Sequence, residues 1–181
     1  NVPCDCICVS GNWTPTVHLS SQSGNKLKFD NKIDAFVPDK SHQKESTVGS
    51  ASGTFTLKKS LEDGFNKGYE LSNKITGRNA KSTTPTSNER NYNQHDKFWC
   101  MPLPKNKNYK RCVDFQNDVY VSDIELAIRE GFRSIEHVKR YTTLGMATDQ
   151  GKTSNLNGLQ LVSSIEKKIV PEVGHTTFRP P

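Results

Sequence analysis

Long apolar runs are missing from this chain. Only 32% of its 181 residues are hydrophobic and 8% are aromatic. No stretch approaches the roughly 20 apolar residues that a membrane-spanning helix needs, and no cationic-then-apolar leader of the secretory type opens the sequence. Cysteine is scarce and odd in number, five in all, with three alternating at Cys4, Cys6 and Cys8. That spacing puts them on one face of a strand rather than in a disulfide framework, and a reducing cytoplasm is the expected setting. His95 and Cys100 have no second ligand pair beside them, so no metal site is expected. The five histidines, His18, His42, His95, His137 and His175, are scattered. The chain lacks a phosphate loop of the GxxxxGK[ST] type, a Ser-His-Asp order and paired carboxylates in an apolar setting. It therefore offers no candidate acid, base or nucleophile of its own.

What the chain has instead is positive charge, and most of it in one place. The formal net charge is +6, and residues 78–112 hold eight Lys or Arg against two Asp or Glu. That segment alone matches the excess of the whole chain. It is rich in Asn, Ser, Thr and Pro and lacks aromatic-basic stacking patterns. A solvated linker or a docking surface for an acidic partner is expected, and not a nucleic-acid site.

Three pieces follow from the patterning. Residues 1–77 begin with "CDCICVSG", a buried-strand pattern, followed by a short helical or turn segment at "TVHLSSQSG" and by "AFVP". A short strand is then expected to end at Val48 and to run through the small residues Gly49 to Gly53 into a helix. The helix stripe is Leu57, Leu61, Gly64 with Phe65, Gly68, Leu71 and Ile75, close to a 3.6-residue period. Gly64 and Gly68 would let it lie against a sheet, and Gly77 would end it. A strand, a turn of small residues and a helix start can bring backbone N–H groups to a pyrophosphate or ribose. An ordinary packed connection reads the same way.

Residues 78–112 show no period, with "FWCMPLP" the part expected to pack. Residues 113–168 read as a small helical module. "SDIELAIREG" has Ser122 as N-cap with Glu125 completing a capping box and Gly131 as stop. "SIEHVKRYTTLG" repeats the scheme with Ser134 as cap and Gly145 as stop, with Ile135, Val138 and Tyr141 inward. A third helix starts at Asn155. Between the second and third lies the glycine-bearing turn "GMATDQGKTS".

In helix pattern and turn, this third piece resembles the two-iron, two-sulfur domain of the bacterioferritin-associated ferredoxin family. That family has cysteines where this chain has Asp114, Gln116, Asp149 and Ser154. Two carboxyls, an amide and a hydroxyl cannot replace thiolates, so a domain of this shape without an iron–sulfur cluster is expected. The run from "VDFQNDVYVSDIELAIREG" to "NLNGLQL", with "EVGHTTFRPP" and the opening "CDCICVSGNWTPTVHLSSQSGNKLKFDNKIDAFVP", is similar to the alpha-subunit family of heterotetrameric sarcosine oxidases. The resemblance implies an α/β plus all-α chain. Its parts would be the C-terminal part of a Rossmann-like NAD-binding domain (1–77), a basic linker (78–112), the cluster-less ferredoxin-like domain (113–168) and a lead-in to a folate-binding domain (169–181). It places the chain inside a longer subunit.

The resemblance also implies a chemistry and a set of contacts. Sarcosine is oxidised to glycine, with hydrogen peroxide and 5,10-methylenetetrahydrofolate as the other products, in a complex with beta, gamma and delta subunits. FAD and tetrahydrofolate lie elsewhere in that complex, and FMN lies at the boundary with the beta subunit. Gly49, Ser50, Ala51, Phe55 and Leu57 would help to hold NAD. Lys139, Arg140, Thr142, Thr143 and Lys152 would face FMN, although the same cations could hold the beta subunit by salt bridges alone. Two alternatives stand beside this reading: a subunit of a related opine, proline or cyanide-forming glycine dehydrogenase, and a non-catalytic docking module.

Overall fold

The computed structural model describes residues 3, 13–77, 83–88, 98–103 and 109–179. The expected opening strand with Cys4, Cys6 and Cys8, and His95, lie outside these. The architecture is mixed α/β, with two small antiparallel hairpins and six α-helices among the described residues.

After α1 (His18–Gln22), strands β1 (Leu27–Asp30) and β2 (Ala35–Pro38) pair in register from Leu27 opposite Pro38 to Asp30 opposite Ala35. Asp30 accepts the Lys32 N–H at 2.8 Å and so shapes the turn. β2 is buried on both faces, and alternation sends its neighbours to opposite sides. Phe36 joins the main core, while Val37 packs against the turn at Gly53.

The segment before Gly49 corrects the expectation of a strand. Val48 is extended but belongs to neither hairpin. Gly49–Ser52 is a single turn of 3₁₀ helix, and Gly53 closes it at φ 92°. The long helix forms as expected: α2 (Leu57–Thr76) stops at Gly77, which takes the left-handed conformation at φ 66°. Its stripe does not pack as expected. Leu57, Leu61, Leu71 and Ile75 are exposed, and a side chain at Gly64 or Gly68 would meet nothing within 4 Å. Exposed pairs hold its outer surface, with Lys67 and Lys74 each 2.7 Å from Glu70.

Strands β3 (Cys112–Asp114) and β4 (Val119–Tyr120) form an irregular hairpin that leads directly into α3 (Val121–Arg129). The N-cap is Tyr120, two residues before the expected Ser122, because Asp123 reaches back to accept the Tyr120 N–H at 2.8 Å. An acidic side chain at the third helical position satisfies a donor that the helix itself leaves unpaired. α4 (Ile135–Thr142) is capped by Ser134 as expected. It ends earlier than expected, at Thr143 with φ 65° rather than at Gly145. Ile135 and Val138 are buried, but Tyr141 is largely exposed and leans on Phe132, with ring centroids 4.8 Å apart.

α5 (Asn155–Glu166) starts where expected and α6 (Val170–Val173) follows. The core joins Ile124, Ala127, Ile135, Val138 and Val162 from the helices with Leu144 from the loop between α4 and α5. Burying each of the larger aliphatic side chains contributes about 1.5–3 kcal/mol before entropy is counted. Phe36 from the first hairpin belongs to the same cluster, and Leu27, Phe29 and Phe178 pack against it.

Candidate functional site

The loop from Thr143 to Ser154 is tightly wound. Thr143, Gly145, Gln150 and Gly151 all have positive φ, which reverses the chain repeatedly. Its interior is filled. A Cβ at Gly145 would lie 1.9 Å from Asn155 Oδ1, and one at Gly151 would lie 2.2 Å from Asn155 Cγ. The Asn155 side chain thus occupies the space that only glycine leaves open, and its amide donates to the Gln150 carbonyl at 3.3 Å.

Beneath the loop lies the Asp114 carboxylate, 2% exposed. Its Oδ2 accepts the Gly145 N–H at 2.7 Å and the Ser154 hydroxyl at 3.2 Å; its Oδ1 accepts the N–H groups of Gln116 and Asn117 at 3.0 and 3.3 Å. A buried carboxylate with four donors is the satisfied arrangement, since an unpaired one would be strongly disfavoured. Gln116 accepts from Thr148 Oγ1 at 3.1 Å. Asp149 turns onto its own loop, accepting from the Gly151 N–H at 3.0 Å and from the Thr153 N–H and hydroxyl at 3.2 and 2.8 Å. Burial raises the Asp149 pKa, but these donors and nearby Lys152 outweigh it and hold the group below the ordinary carboxylate range. Of the four positions compared with cluster cysteines, Asp114 is thus joined to Gln116 and Ser154, while Asp149 bonds within its own loop. Among the described residues no group of three or more His, Cys, Asp or Glu is placed to hold a metal ion.

The expected FMN set is spread over two places. Thr142 and Thr143 end α4, where the Thr142 hydroxyl bonds the Val138 carbonyl at 2.8 Å and the Thr143 hydroxyl bonds the Thr142 carbonyl at 2.5 Å. Arg140 lies 3.8 Å from Glu136 on the exposed face of α4, and Lys139 is half-buried. Lys152 instead borders a cleft of about 50 Å³ with His18, Phe36, His175, Thr176 and Phe178. That volume suits a few waters or the edge of a planar group. Among the described residues, the buried His18 Nδ1 has no hydrogen-bond partner there, and burial, then Lys152, lowers the His18 pKa. An orphaned ring nitrogen, a cation and aromatic walls suit a planar, electron-rich or anionic ligand edge. No sequence signal marks this grouping, because "TVHLSS" and "GHTTF" lie at opposite ends of the chain.

The expected NAD set stays together on the other face of β2. Ser52 Oγ bonds the Gly49 carbonyl at 2.8 Å, and a Cβ at Gly53 would lie 2.9 Å from Ile33 and 3.0 Å from Val37. The turn is therefore seated on the hairpin. Ser50 is exposed, as are Phe55 and Leu57 at the entry to α2, and Ala51 is half-buried. Apolar side chains thus stand exposed beside a turn of small residues.

Residues 108–181 match the family described as the sarcosine oxidase A3 domain. Over 97% of its length the chain is 34% identical to the sarcosine oxidase subunit alpha of Rhizobium meliloti (strain 1021), covering 18% of that protein. It is 34% identical over 98% of its length to the subunit alpha of Corynebacterium sp. (strain P-1), covering 19% of it. The subunit alpha of Corynebacterium sp. (strain U-96) is 32% identical over the same share of the chain, again with 19% of that protein covered. The chain thus spans about one fifth of the length of these relatives. Among solved structures, L-proline dehydrogenase from P. horikoshii superposes with a TM-score of 0.64 at 22% identity, covering 93% of this chain and 35% of that one. That likeness shows a shared fold.

Proposed function

We propose that this chain, which belongs to the sarcosine oxidase alpha-subunit family, serves in a complex that oxidises sarcosine to glycine. One observation carries the reading: 34% identity to such a subunit over 97% of the chain. In the proposed reaction sarcosine, tetrahydrofolate and oxygen give glycine, 5,10-methylenetetrahydrofolate and hydrogen peroxide. The methyl carbon moves to folate, and the electron pair from the C–N centre reduces oxygen. Bound flavin would supply the redox chemistry, and the protein supplies placement and electrostatics.

Within that reading the Rossmann-like part includes the turn from Gly49 to Gly53, with Gly49, Ser50, Ala51, Phe55 and Leu57 toward NAD. Lys152, beside the orphaned His18 nitrogen, is the residue of the FMN set in the best position to meet a ligand. Lys139, Arg140, Thr142 and Thr143 belong to the end of α4, away from that cleft, and would meet the cofactor from there. The ferredoxin-like domain uses Asp114, Gln116, Asp149 and Ser154 as a hydrogen-bonded replacement for a cluster site. FAD and tetrahydrofolate belong to other parts of the complex, the beta, gamma and delta subunits are the partners, and the setting is cytoplasmic.

A second reading, a non-catalytic docking module, is favoured by the exposed apolar stripe of α2. A subunit of an opine, proline or glycine dehydrogenase is the alternative within the enzyme class. Oxygen consumption by the complete complex separates the three. Sarcosine should drive it, with peroxide formed one for one. Turnover of proline or an opine in place of sarcosine would overturn the substrate, and full activity of a complex assembled without this subunit would leave only docking.

A further inference from the structure

We infer that Cys100 is a peroxide-reactive thiol, oxidised to a sulfenic acid in a cleft where Arg111 selects it over Cys112. The cleft is about 520 Å³ in volume, and its walls include Trp99, Cys100, Leu103, Arg111, Cys112 and Leu161. Cys100 and Cys112 are both free and half-buried, so a small oxidant entering the cleft meets two thiols.

The two differ in their surroundings. Arg111 Nη1 donates to Cys100 Sγ at 3.1 Å and to the Met101 carbonyl at 3.4 Å. Its Nη2 lies 3.6 Å from Glu125, which fixes the guanidinium from the far side. The thiolate is the form that attacks peroxide, and a guanidinium at the sulfur stabilises the negative charge that passes to the departing hydroxide. Cys112 has the opposite environment. Its sulfur donates to the Val119 carbonyl at 3.7 Å, and burial, then the Asp118 and Asp114 carboxylates, push its thiol pKa up. A cation faces one sulfur and two carboxylates lie near the other.

The step balances as a two-electron transfer. The Cys100 thiolate, its proton given to solvent, attacks one peroxide oxygen. The S–O bond forms as the O–O bond breaks, and the departing hydroxide takes a proton to become water. Sulfur is oxidised and peroxide is reduced. That the peroxide comes from this protein's own complex rests on the function proposed above; the reactivity of Cys100 does not.

The test uses the full chain, treated with hydrogen peroxide in the presence of dimedone and mapped by peptide mass spectrometry. The dimedone adduct should form on Cys100 ahead of Cys112. Arg111→Met should slow labelling roughly tenfold, as loss of a charge-assisted bond implies, while Lys110→Met leaves it unchanged. Unaltered far-ultraviolet circular dichroism guards against reading unfolding as reactivity. If Arg111→Met destabilises the chain, Arg111→Lys, which keeps the charge, should label faster than Arg111→Gln. Equal labelling of Cys100 and Cys112, or equal rates in these variants, overturns the proposal. In the assembled complex, sarcosine should replace added peroxide and catalase should abolish the effect. If added peroxide labels Cys100 but sarcosine does not, the reaction proposed above fails and the thiol's reactivity stands.

Discussion

Ser154 gives its hydroxyl to the Asp114 carboxylate at 3.2 Å, tying the start of α5 to the β3–β4 hairpin forty residues earlier in the chain. Both groups are buried, and the same carboxylate oxygen holds the Gly145 N–H. One side chain thus fixes the two sides of the glycine loop.

Removing that carboxylate should be costly. Asp114→Ala leaves the Gly145 N–H and the Ser154 hydroxyl without their acceptor, and each buried orphan costs about 1–3 kcal/mol. A loss of roughly 3 kcal/mol or more is expected in urea unfolding. Asp114→Asn keeps one acceptor oxygen and should lose less, while Ser154→Ala removes a single bond and should cost about 1 kcal/mol. Equal losses for all three would disprove the central role of the carboxylate.

Asp149 gives the loop a dependence on acid. Its donors hold the folded-state pKa below the ordinary value, so the folded state binds the proton less readily than the unfolded chain. The stabilisation is present above the unfolded pKa of about 3.9 and fades as pH falls through the lower folded value. Unfolding midpoints measured from about pH 5 downward should fall less steeply for Asp149→Asn than for the parent. Near neutral pH, Asp149→Asn should cost about 1 kcal/mol and Asp149→Leu, which removes every acceptor, about 2–3.

Gly158 is required for contact rather than for backbone freedom. A Cβ there would lie 2.4 Å from Leu144 Cδ2, and Leu144 is fully buried, so the leucine must change rotamer inside the core. Gly158→Ala gains helix propensity, about 0.5–1 kcal/mol, yet overpacking of about 1–3 kcal/mol should win. In a Leu144→Ala background the same substitution should cost less. A double-mutant cycle on thermal unfolding reads this coupling directly.

The cleft around Lys152 can be followed through His18. Burial and Lys152 both disfavour the imidazolium, so His18 should titrate below the usual histidine value. Its stabilising contribution is present above the unfolded pKa of about 6.5 and declines as pH falls through the folded value. In NMR titrations Lys152→Ala should raise the His18 pKa without restoring it, since burial is the larger cause. In the assembled complex Lys152→Ala should lower flavin mononucleotide content more than Arg140→Ala, because Arg140 is engaged with Glu136.

The parts of this fold that were legible are those set by neighbours in sequence. Ser134 caps α4, Asn155 starts α5 and Gly77 ends α2 because each depends on residues within one turn. The periodic stripe of α2 gave its helical state but not its burial, since periodicity says which residues share a face and nothing about what meets that face. Ser122 lost the cap position because Asp123, rather than Glu125, reaches back to a backbone N–H, which moves the helix start to Tyr120. The expected strand at Val48 has no partner among the described residues to complete a ladder. Of the candidate site, the polar residues Asp114, Gln116, Asp149 and Ser154 could be singled out from the sequence, but the bond from Asp114 to Ser154 and the meeting of His18 with Lys152 depend on the finished fold.

Gln22 donates to the Phe178 carbonyl at 2.8 Å across a separation of 156 residues, and Phe178 packs on Phe36 and His18 nearby. This closure makes folding speed depend on a search over nearly the whole chain, since such non-local contacts form only after much of the entropy has been lost. During synthesis the hairpin is made long before the residues that cover it. Until they arrive, Phe36 is left bare on one side, which makes that interval a time of greatest exposure to aggregation.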